Sequence, residues 1–247
     1  MDKRYWDNVA ADYDDQIHDS FANDHAGIIK RRIQKYAKSA HIACDFGCGI
    51  GKYLPMLSKR FKFVYAIDLS QKLLDLAEQN CGQHNNIRYI QSNLSNTKLR
   101  IRKSHFAVCA NVLIADDRKA RTGILKNINR HLVTGGHLLL LVPSTESALY
   151  ADQRLVEWYR REGATESEAR AERIRVGPTL LDGIIKIQGV PTKHYLREEA
   201  AVTLANAGFE MVSADKVEYG WHTEFDSPPR WMREPYPWDW LIVARAR

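Results

Sequence analysis

The sequence predicts an α/β protein built around a mostly parallel sheet, and three stretches of the chain indicate this. A short apolar run, Ile42–Phe46, ends in glycines at alternate positions and passes into a helical pattern. A second apolar run ends in the acidic residue Asp68. Residues 138–142 are all apolar, which is typical of a strand that helices cover on both faces. Strands that alternate with helices in this way form parallel sheets.

Length and composition are those of one globular domain. The chain has 247 residues, of which 45% are hydrophobic and 27% charged, and a chain of this length can bury a single core. Its apolar runs are too short to span a bilayer, and the first residues lack the apolar core of a signal peptide. The four cysteines lack the spacing of a disulfide framework or a zinc site. We therefore expect a cytoplasmic protein with no membrane segment and no metal.

The glycine-rich turn after the first predicted strand indicates a ligand site. Glycine allows positive φ angles and leaves room for a ligand beside the backbone. In an α/β sheet such a turn lies at the carboxyl ends of the strands, where nucleotide-like ligands bind. The spacing differs from the G-x-G-x-x-G of dinucleotide-binding enzymes, because Lys52 occupies the place of the third glycine. Instead, Asp45 stands two positions before the first of Gly47, Gly49 and Gly51.

These residues resemble the first motif, (Asp/Glu)-x-Gly-x-Gly-x-Gly, of the class I S-adenosylmethionine (SAM)-dependent methyltransferases. Residues 132–143 are similar to a second motif of that family, L-x-P-G-G-x-L followed by apolar residues, with Thr134 in place of the proline. The resemblance implies a Rossmann-like sheet of seven strands, mostly parallel with an antiparallel last strand, and helices on both faces. It also implies SAM as the cofactor and S-adenosylhomocysteine as the product.

The resemblance places the cofactor at the ends of the first four strands. Asp68, at the tip of the second strand, is expected to accept hydrogen bonds from two ribose hydroxyls. Asn93 stands where the family has an acid that contacts the adenine amino group, and its amide oxygen can accept the same bond. Ala107 replaces a second acid that is frequent in the family, and Asn111 would line the methionine end. The predicted cofactor-binding residues are Asp45, Gly47, Cys48, Gly49, Gly51, Asp68, Leu69, Asn93, Leu94 and Asn111.

Residues 1–40 are expected to form a helical lid over the SAM site. Apolar residues recur at helical spacing over residues 5–17, and a second, basic helix is predicted over residues 24–38. The pattern Trp-x-x-Val-Ala-x-x-Tyr that starts at Trp6 is similar to the N-terminal segment of many small-molecule methyltransferases. In that segment the tyrosine commonly faces the reacting centre, so Trp6 and Tyr13 are predicted to contact the substrate. Packing within an amphipathic helix is the alternative.

The rest of the chain divides into a SAM-binding core (41–143), a cap insertion (144–195) and the C-terminal part of the sheet (196–247). The alternation of strands and helices breaks after the fifth strand, where the resemblance implies an insertion that covers the acceptor. The aromatic residues predicted to contact the substrate there are Tyr150, Tyr195 and Trp221. Packing in the hydrophobic core of the cap would explain such aromatic residues equally well.

Methyl transfer from SAM is an in-line displacement on an activated carbon. The protein therefore mainly has to hold the acceptor atom within about 3–3.5 Å of the methyl carbon and exclude water. A general base is required only for an acceptor that is protonated or poorly nucleophilic. The candidates for this role are His194, His222 and Tyr13, with Glu224 as an orienting carboxylate. A structural hydrogen bond is the alternative role for a single histidine such as His194.

Three functions remain open from the sequence. The segment 144–247 is long enough to close a pocket around a small molecule, which favours a methyltransferase that acts on an N, O or S atom of such an acceptor. The glycine turn also resembles that of enzymes that methylate wobble uridines in tRNA, and two basic clusters would suit RNA or would simply be solvated surfaces. A SAM-binding protein without activity is the third possibility. The first basic cluster comprises Lys30, Arg31, Arg32, Lys35 and Lys38, and the second comprises Arg88, Lys98, Arg100, Arg102 and Lys103.

We expect the protein to be a monomer or a homodimer.

Overall fold

A seven-stranded sheet forms the centre of the computed structural model, which describes residues 2–13, 19–96, 99–171, 181–187 and 189–247. The strands are β1 (Ile42–Phe46), β2 (Phe63–Asp68), β3 (Ile87–Gln91), β4 (Ser104–Ala110), β5 (Leu132–Pro143), β8 (Phe209–Glu218) and β9 (Trp238–Ala246). Their order across the sheet is β3-β2-β1-β4-β5-β9-β8. Neighbours among β1 to β5 are parallel, whereas β9 is antiparallel to β5 and to β8. The predicted mostly parallel sheet with an antiparallel last strand is confirmed.

Helices and one small hairpin connect these strands. The helices are α1 (Lys3–Val9), α2 (Ile28–Tyr36), α3 (Leu54–Ser58), α4 (Gln71–Cys81), α5 (Arg118–His131), α6 (Thr145–Arg161), α7 (Glu166–Ala171) and α8 (Arg197–Asn206). The strands β6 (Ile184–Ile187) and β7 (Val190–Lys193) form a separate antiparallel pair. Within the described ranges, every helix is too short or too polar to traverse a lipid bilayer.

Hydrophobic clusters on both faces of the sheet hold the helices in place. On one face α5 and α8 pack onto the sheet through Leu125 and Leu204. On the other face α2, α3 and α4 pack through Ile33, Leu57 and Leu74. All five side chains are at most 1% exposed, as expected for apolar stripes that face a sheet. The predicted arrangement with helices on both faces is therefore confirmed.

The helix starts follow the capping residues in the sequence. Ser70 accepts a hydrogen bond from the first turn of α4. Asp117 does the same for α5, so this helix begins at residue 118. At α7, Thr165 and Glu168 exchange backbone and side-chain hydrogen bonds, which is a capping box.

The N-terminal segment contains both predicted helical stretches. Over the first, residues 5–17, the described part consists of α1 and a 3-10 turn at Ala10–Asp12, and residues 14–18 lie outside the described part of the chain. The second, expected over residues 24–38, is shorter than predicted. Gly27 has a φ of +65° and Asp24 accepts hydrogen bonds from the first N–H groups of α2, so the helix begins at residue 28.

The order of the strands creates a crevice between β1 and β4. The chain leaves β1 toward β2 on one side and later returns to β4 on the other, so the connections diverge at the carboxyl ends of these strands. The N–H groups of Gly47 and Cys48 donate to the carbonyl of Ile67 at 2.7 and 3.0 Å. These bonds attach the glycine turn to the end of β2, and the turn therefore forms one wall of the crevice.

Candidate active site

A cavity of about 350 Å³ opens at the carboxyl ends of the central strands. The glycine turn, the tip of β2 and the loops after β3 and β4 form its walls, and α1 covers it. Apolar walls with a few convergent polar groups are usual for cofactor sites. The lining residues are Asp2, Lys3, Trp6, Tyr13, Gly47, Gly49, Asp68, Leu69, Leu73, Ser92, Asn93, Leu94, Ser95, Ala110, Asn111, Val112, Ile114, Ala115, Ala120 and Ile124.

The glycine turn lacks side chains where the two walls of the cavity come closest. A β-carbon on Gly47, whose φ is +78°, would lie 2.3 Å from Val112. A β-carbon on Gly49, whose φ is +52°, would lie 2.5 Å from the hydroxyl oxygen of Tyr13. Gly51 has a different role, because a β-carbon there would press on α3 and α4 and not on the cavity. Two of the three glycines therefore shape the cavity, and the third allows close helix packing.

Asp68 connects the tip of β2 to the glycine turn. Its carboxylate accepts hydrogen bonds at 2.9 Å from the N–H of Gly49 and from the N–H of Ser70. Burial raises the pKa of Asp68, and these backbone N–H groups partly offset that rise because they stabilise the carboxylate. The side chain lines the cavity with its acceptor oxygens, as a group that binds ribose hydroxyls would.

Asp45 lies behind the turn and outside the cavity wall. Its side chain is 1% exposed, and Oδ2 has no hydrogen-bond partner among the described residues. Burial, with a smaller effect from the negative charge of Asp68, raises the pKa of Asp45 to about 8. The acid of the first motif therefore does not line the cavity in which a ligand would bind.

The loop after β3 forms the far end of the cavity. Asn93, Leu94 and Ser95 line it. The amide oxygen of Asn93 already accepts hydrogen bonds from the backbone N–H and the hydroxyl of Ser95, at 3.0 and 2.7 Å. The role predicted for this oxygen, accepting from an adenine amino group, would require sharing with Ser95.

Asn111 closes the cavity beyond β4. It has a φ of +55°, which is unusual for a residue other than glycine, and its N–H donates to the carbonyl of Leu141. Its Nδ2 donates to the hydroxyl of Ser20 at 3.2 Å. Its Oδ1 is buried and has no partner among the described residues. Strained backbone and an unpaired polar atom are both features of functional sites.

The N-terminal segment brings two predicted residues to the cavity. Trp6 and Tyr13 both line it. Burial, followed by the nearby charge of Asp68, raises the pKa of Tyr13. The phenol is thus neutral at physiological pH and can donate a hydrogen bond, whereas it is poorly suited to remove a proton.

The same segment that builds this cavity matches a known protein family. Residues 43–136 match a family model described as "Methyltransferase domain". This range runs from β1 through the glycine turn and the tip of β2 to the start of β5. This segment of the chain is therefore similar to a methyltransferase domain.

Solved structures share the fold of this protein along most of the chain. A SAM-dependent methyltransferase from Methanosarcina mazei is 21% identical with a TM-score of 0.60, covering 87% of this chain and 96% of its own. A putative methyltransferase from Haloferax volcanii, in complex with the Trm112 activator, is 15% identical with a TM-score of 0.64, covering 98% and 97%. Magnesium protoporphyrin IX methyltransferase from Synechocystis PCC 6803, with bound S-adenosylhomocysteine, is 13% identical with a TM-score of 0.63, covering 99% and 98%. No curated protein matches the sequence.

Structures that share this fold have been solved with S-adenosylhomocysteine or with SAM. The cavity residues suit SAM, because the turn without side chains leaves room beside the backbone and Asp68 presents a carboxylate at the end of β2. Among the described residues no group of histidine, cysteine and acidic side chains could hold a metal ion.

Five residues predicted to act on the substrate lie away from the cavity. His194 is 6% exposed and its Nδ1 lies 3.0 Å from the carbonyl of Thr192. The hydroxyl of Tyr195 donates to the carbonyl of Leu113, behind the loop that follows β4. Tyr150 and Trp221 belong to an aromatic cluster between α6 and the loop before β9, and His222 lies exposed beside it. The structure therefore gives these side chains packing and hydrogen-bonding contacts and does not bring them to the cavity.

A second cavity, of about 50 Å³, adjoins the first, and the sequence did not predict most of its walls. The two cavities share Tyr13, Gly47, Ala110 and Asn111. The remaining walls come from Asp19, Ser20, Phe21, Cys48, Lys52 and Tyr53. Residues 19–21 belong to no family motif and to no periodic element, so the sequence carries no local signal for them. We refer to this second space as the small cavity.

Proposed function

We propose that this protein is a class I SAM-dependent methyltransferase and that it transfers the methyl group of SAM to an N, O or S atom of a small-molecule acceptor. The observation that supports this most directly is the small cavity, which continues from the larger one past the glycine turn. Tyr13 borders both spaces. An acceptor group in the small cavity would meet the methyl group at this boundary, and its size suits a small functional group rather than a base pair or a protein segment.

Within the larger cavity, each wall has a role in binding SAM. Asp68 accepts hydrogen bonds from the ribose hydroxyls, as a carboxylate can from two donors at once. The turn at Gly47 and Gly49 lies against the methionine portion, and Leu94 with Asn93 borders the adenine. Asn111 lies at the methyl end. Asp45 supports the turn from behind, Leu69 completes the wall, and Cys48 lines the adjoining small cavity.

The protein contributes alignment and exclusion of water to the reaction. SAM supplies a methyl group already activated on a sulfonium. Residues 1–40 act as a lid, because Trp6 and Tyr13 cover the cavity, and residues 144–195 act as a cap that supports the loop after β4. Positioning of this kind can contribute several kcal/mol to catalysis, up to about 7–11 kcal/mol in well-oriented systems. The chain is then one domain with a core at 41–143 and the C-terminal part of the sheet at 196–247.

Replacement of Asp68 by alanine tests the cofactor site. We expect the SAM affinity measured by calorimetry to fall at least about tenfold, because each hydrogen bond to a charged group contributes about 1.5–3 kcal/mol. Asp75→Ala on the exposed face of α4 is the matched control, and it should bind SAM as the unchanged protein does. Equal affinity in both variants would contradict the assignment of Asp68.

The acceptor class is tested by incubation with labelled SAM and a fractionated cell extract. We expect the label in a product of low molecular mass, identified by mass spectrometry. Label that appears in the RNA fraction instead would favour the alternative of an RNA-modifying enzyme, for which the basic residues of α2 are the supporting feature.

A further inference from the structure

A chain of hydrogen bonds leads from the small cavity to a carboxyl group on β9. Asn111 Nδ2 donates to the Ser20 hydroxyl at 3.2 Å. Ser20 in turn is hydrogen bonded to Tyr219, and the hydroxyl of Tyr219 donates to Asp239 Oδ2 at 3.0 Å. Ser20 is 4% exposed and Tyr219 is 4% exposed. Four residues from four distant parts of the sequence thus form one connected polar path through a largely apolar core.

The direction of these bonds determines which atom is left without a partner. The Tyr219 hydroxyl has a single proton and donates it to Asp239, so it accepts from Ser20. The Ser20 oxygen must then accept from an N–H of Asn111, which leaves the acceptor atom Oδ1 of Asn111 facing away from the chain. This atom is buried and unpaired among the described residues, and a buried unpaired acceptor costs about 1–3 kcal/mol. A ligand that donates a hydrogen bond would remove that cost.

The charges around the small cavity favour a cationic ligand. Among the described residues of its wall, Lys52 is the only cation, and it is paired with Asp19 at 2.6 Å. Asp239 lies behind the wall, and the groups that face it are Tyr219 just after β8, Glu224 in the loop before β9 and Tyr53 just before α3. None of these is a cation. A carboxylate ligand would meet acidic groups and unpaired acceptors, whereas an ammonium group presents three donors and a positive charge.

We propose that the small cavity binds the amino group of a small amine, and that Ser20, Tyr219 and Asp239 remove its proton before methyl transfer. This proposal rests on the proposed function, because it names the class of acceptor for that same site. Ser20 contacts the amine directly. Tyr219 and Asp239 act through Ser20 and are positioning residues.

The proton transfers balance without a further reactant. The ammonium donates one proton to the Ser20 oxygen, the Ser20 proton passes to Tyr219, and the Tyr219 proton passes to Asp239. The result is a neutral amine and a protonated Asp239. The amine nitrogen then forms a bond to the methyl carbon while the electron pair of the carbon–sulfur bond passes to sulfur. The products are a methylated ammonium and S-adenosylhomocysteine, and Asp239 releases its proton to solvent.

The surroundings of Asp239 make it a suitable final proton acceptor. Burial raises its pKa to about 7, and the hydrogen bond from Tyr219 offsets part of that rise. A base is most effective when its pKa lies near the working pH. Below pH 7 the carboxyl group is already protonated and cannot take a further proton, so activity should rise as the pH increases through this value.

Binding is tested first, with ethylammonium chloride and sodium acetate as probes. The enzyme loaded with S-adenosylhomocysteine is titrated with each salt at equal ionic strength and followed by NMR of the side-chain amides. We expect a saturable shift of the Asn111 amide with ethylammonium and none with acetate. No shift with ethylammonium, or an equal shift with acetate, would overturn the proposal. Calorimetry with SAM is carried out on the same preparation before S-adenosylhomocysteine is added, so that loss of cofactor binding, which would contradict the proposed function, is distinguished from loss of amine binding alone.

Activity is tested with labelled SAM and the cation-exchange and anion-exchange pools of a cell extract. We expect N-methylated product from the cationic pool. Label found only in the anionic pool, or no label from the cationic pool, would overturn the proposal. With the amine so identified, Tyr219→Phe and Asp239→Asn should lower kcat about tenfold or more, within the range typical of general-base catalysis, and should change KM much less. Asp239→Asn should also lose the rise in activity near pH 7, whereas Asp239→Glu should restore part of it.

Tyr65→Phe is the matched control for these variants. Tyr65 is a buried tyrosine of the same sheet, 6% exposed, whose hydroxyl accepts a hydrogen bond from Arg102 and lies outside both cavities. It should retain the kcat and the pH profile of the unchanged enzyme. An equal loss of kcat in Tyr65→Phe and Tyr219→Phe would mean that tyrosine removal acts through packing, and the proposed role of Tyr219 would then be wrong.

Discussion

Asp45 and Asp68 lie on opposite sides of the glycine turn and differ in their surroundings. Two backbone N–H groups within 2.9 Å stabilise the charge of Asp68. Asp45 is 1% exposed, and one of its oxygens has no hydrogen-bond partner among the described residues. The pKa of Asp45 is about 8 and its ordinary value is 3.8. Between pH 3.8 and about pH 8, the folded protein therefore keeps a proton on Asp45 that the unfolded chain has released.

This difference makes the stability of the protein depend on pH. Because the folded pKa of Asp45 is raised, its contribution to stability is complete below about pH 4 and is lost as the pH rises toward 8. We expect the free energy of unfolding in urea to fall between pH 5 and pH 8 by up to about 1.4 kcal/mol per pH unit for this proton. Asp45→Asn should flatten that slope, since asparagine has no proton to release. Parallel pH profiles for the two proteins would contradict the raised pKa.

Gly49 combines a positive φ with a close approach to Tyr13, and the two effects can be separated. Gly49→Ala should strain the backbone and displace the tyrosine, so that SAM affinity falls sharply. Gly135→Ala is the matched control, because Gly135 has a φ of +79° but no atom of the described chain within 4 Å of the added carbon. Both variants should lose about 1–2 kcal/mol of stability, whereas calorimetry should detect weaker SAM binding only in Gly49→Ala. Weakened binding in both would mean that backbone strain alone is responsible.

The sequence predicts cavity residues well where they belong to a local motif. Gly47, Gly49 and Asp68 follow directly from a strand–turn–helix pattern, and the structure brings them together. The contact between Ser20 and Asn111 spans ninety-one positions and leaves no trace in spacing or periodicity. His194 could be proposed from residue type alone, but only the structure gives the direction of its side chain.

At the next level, α1 is attached to α4 through a pair of polar side chains. The hydroxyl of Ser70, which caps α4, donates to Asp7 at 2.6 Å, and the Ser70 N–H donates to Asp68. Lys3 holds the other oxygen of Asp7 at 2.5 Å. The position of α1 is thus coupled to the carboxylate that is proposed to bind ribose.

Replacement of Asp7 by asparagine tests this coupling. We expect SAM to dissociate a few times faster in stopped-flow measurements, since loss of one hydrogen bond typically has an effect of that size, and the amides of residues 3–9 should exchange faster. Asp12→Asn in the adjacent 3-10 turn is the control, because that side chain is exposed and has no place in the cavity wall. Identical dissociation rates in the two variants would contradict a role for Asp7 in holding the lid.

The strands of the sheet could be predicted from the sequence. The structure of residues 144–195, the segment expected to form a cap, could be predicted less completely. The apolar runs of β1, β2 and β5 predict these strands, and the capping residues of α4 and α7 predict where the two helices begin. The hairpin of β6 and β7 was not predicted, because four-residue strands are too short to show alternation. The aromatic residues of α6 allowed either substrate contact or packing, and their partners in the loop before β9 are far away in the sequence.

Over the whole molecule, part of the positive charge contributes to the fold. Arg32 on α2 forms two hydrogen bonds with Asp215 on β8, at 2.8 and 2.6 Å, and Lys35 lies over the ring of Tyr36. These side chains are less able to contact a polyanion than the sequence alone suggests. We expect no salt-dependent mobility shift of tRNA at 50 or 200 mM salt. A complex that weakens steeply between these concentrations would support an RNA substrate, since such dependence reflects neutralised phosphates.

The position of β9 between β5 and β8 affects the order in which the molecule can form. β5 and β8 precede β9 along the chain, yet each borders it and neither borders the other. During synthesis on the ribosome, both therefore remain open edges until residues 238–246 have emerged. Open edges can pair with other chains and promote aggregation, so the nascent protein depends on its last strand for protection as well as for its core.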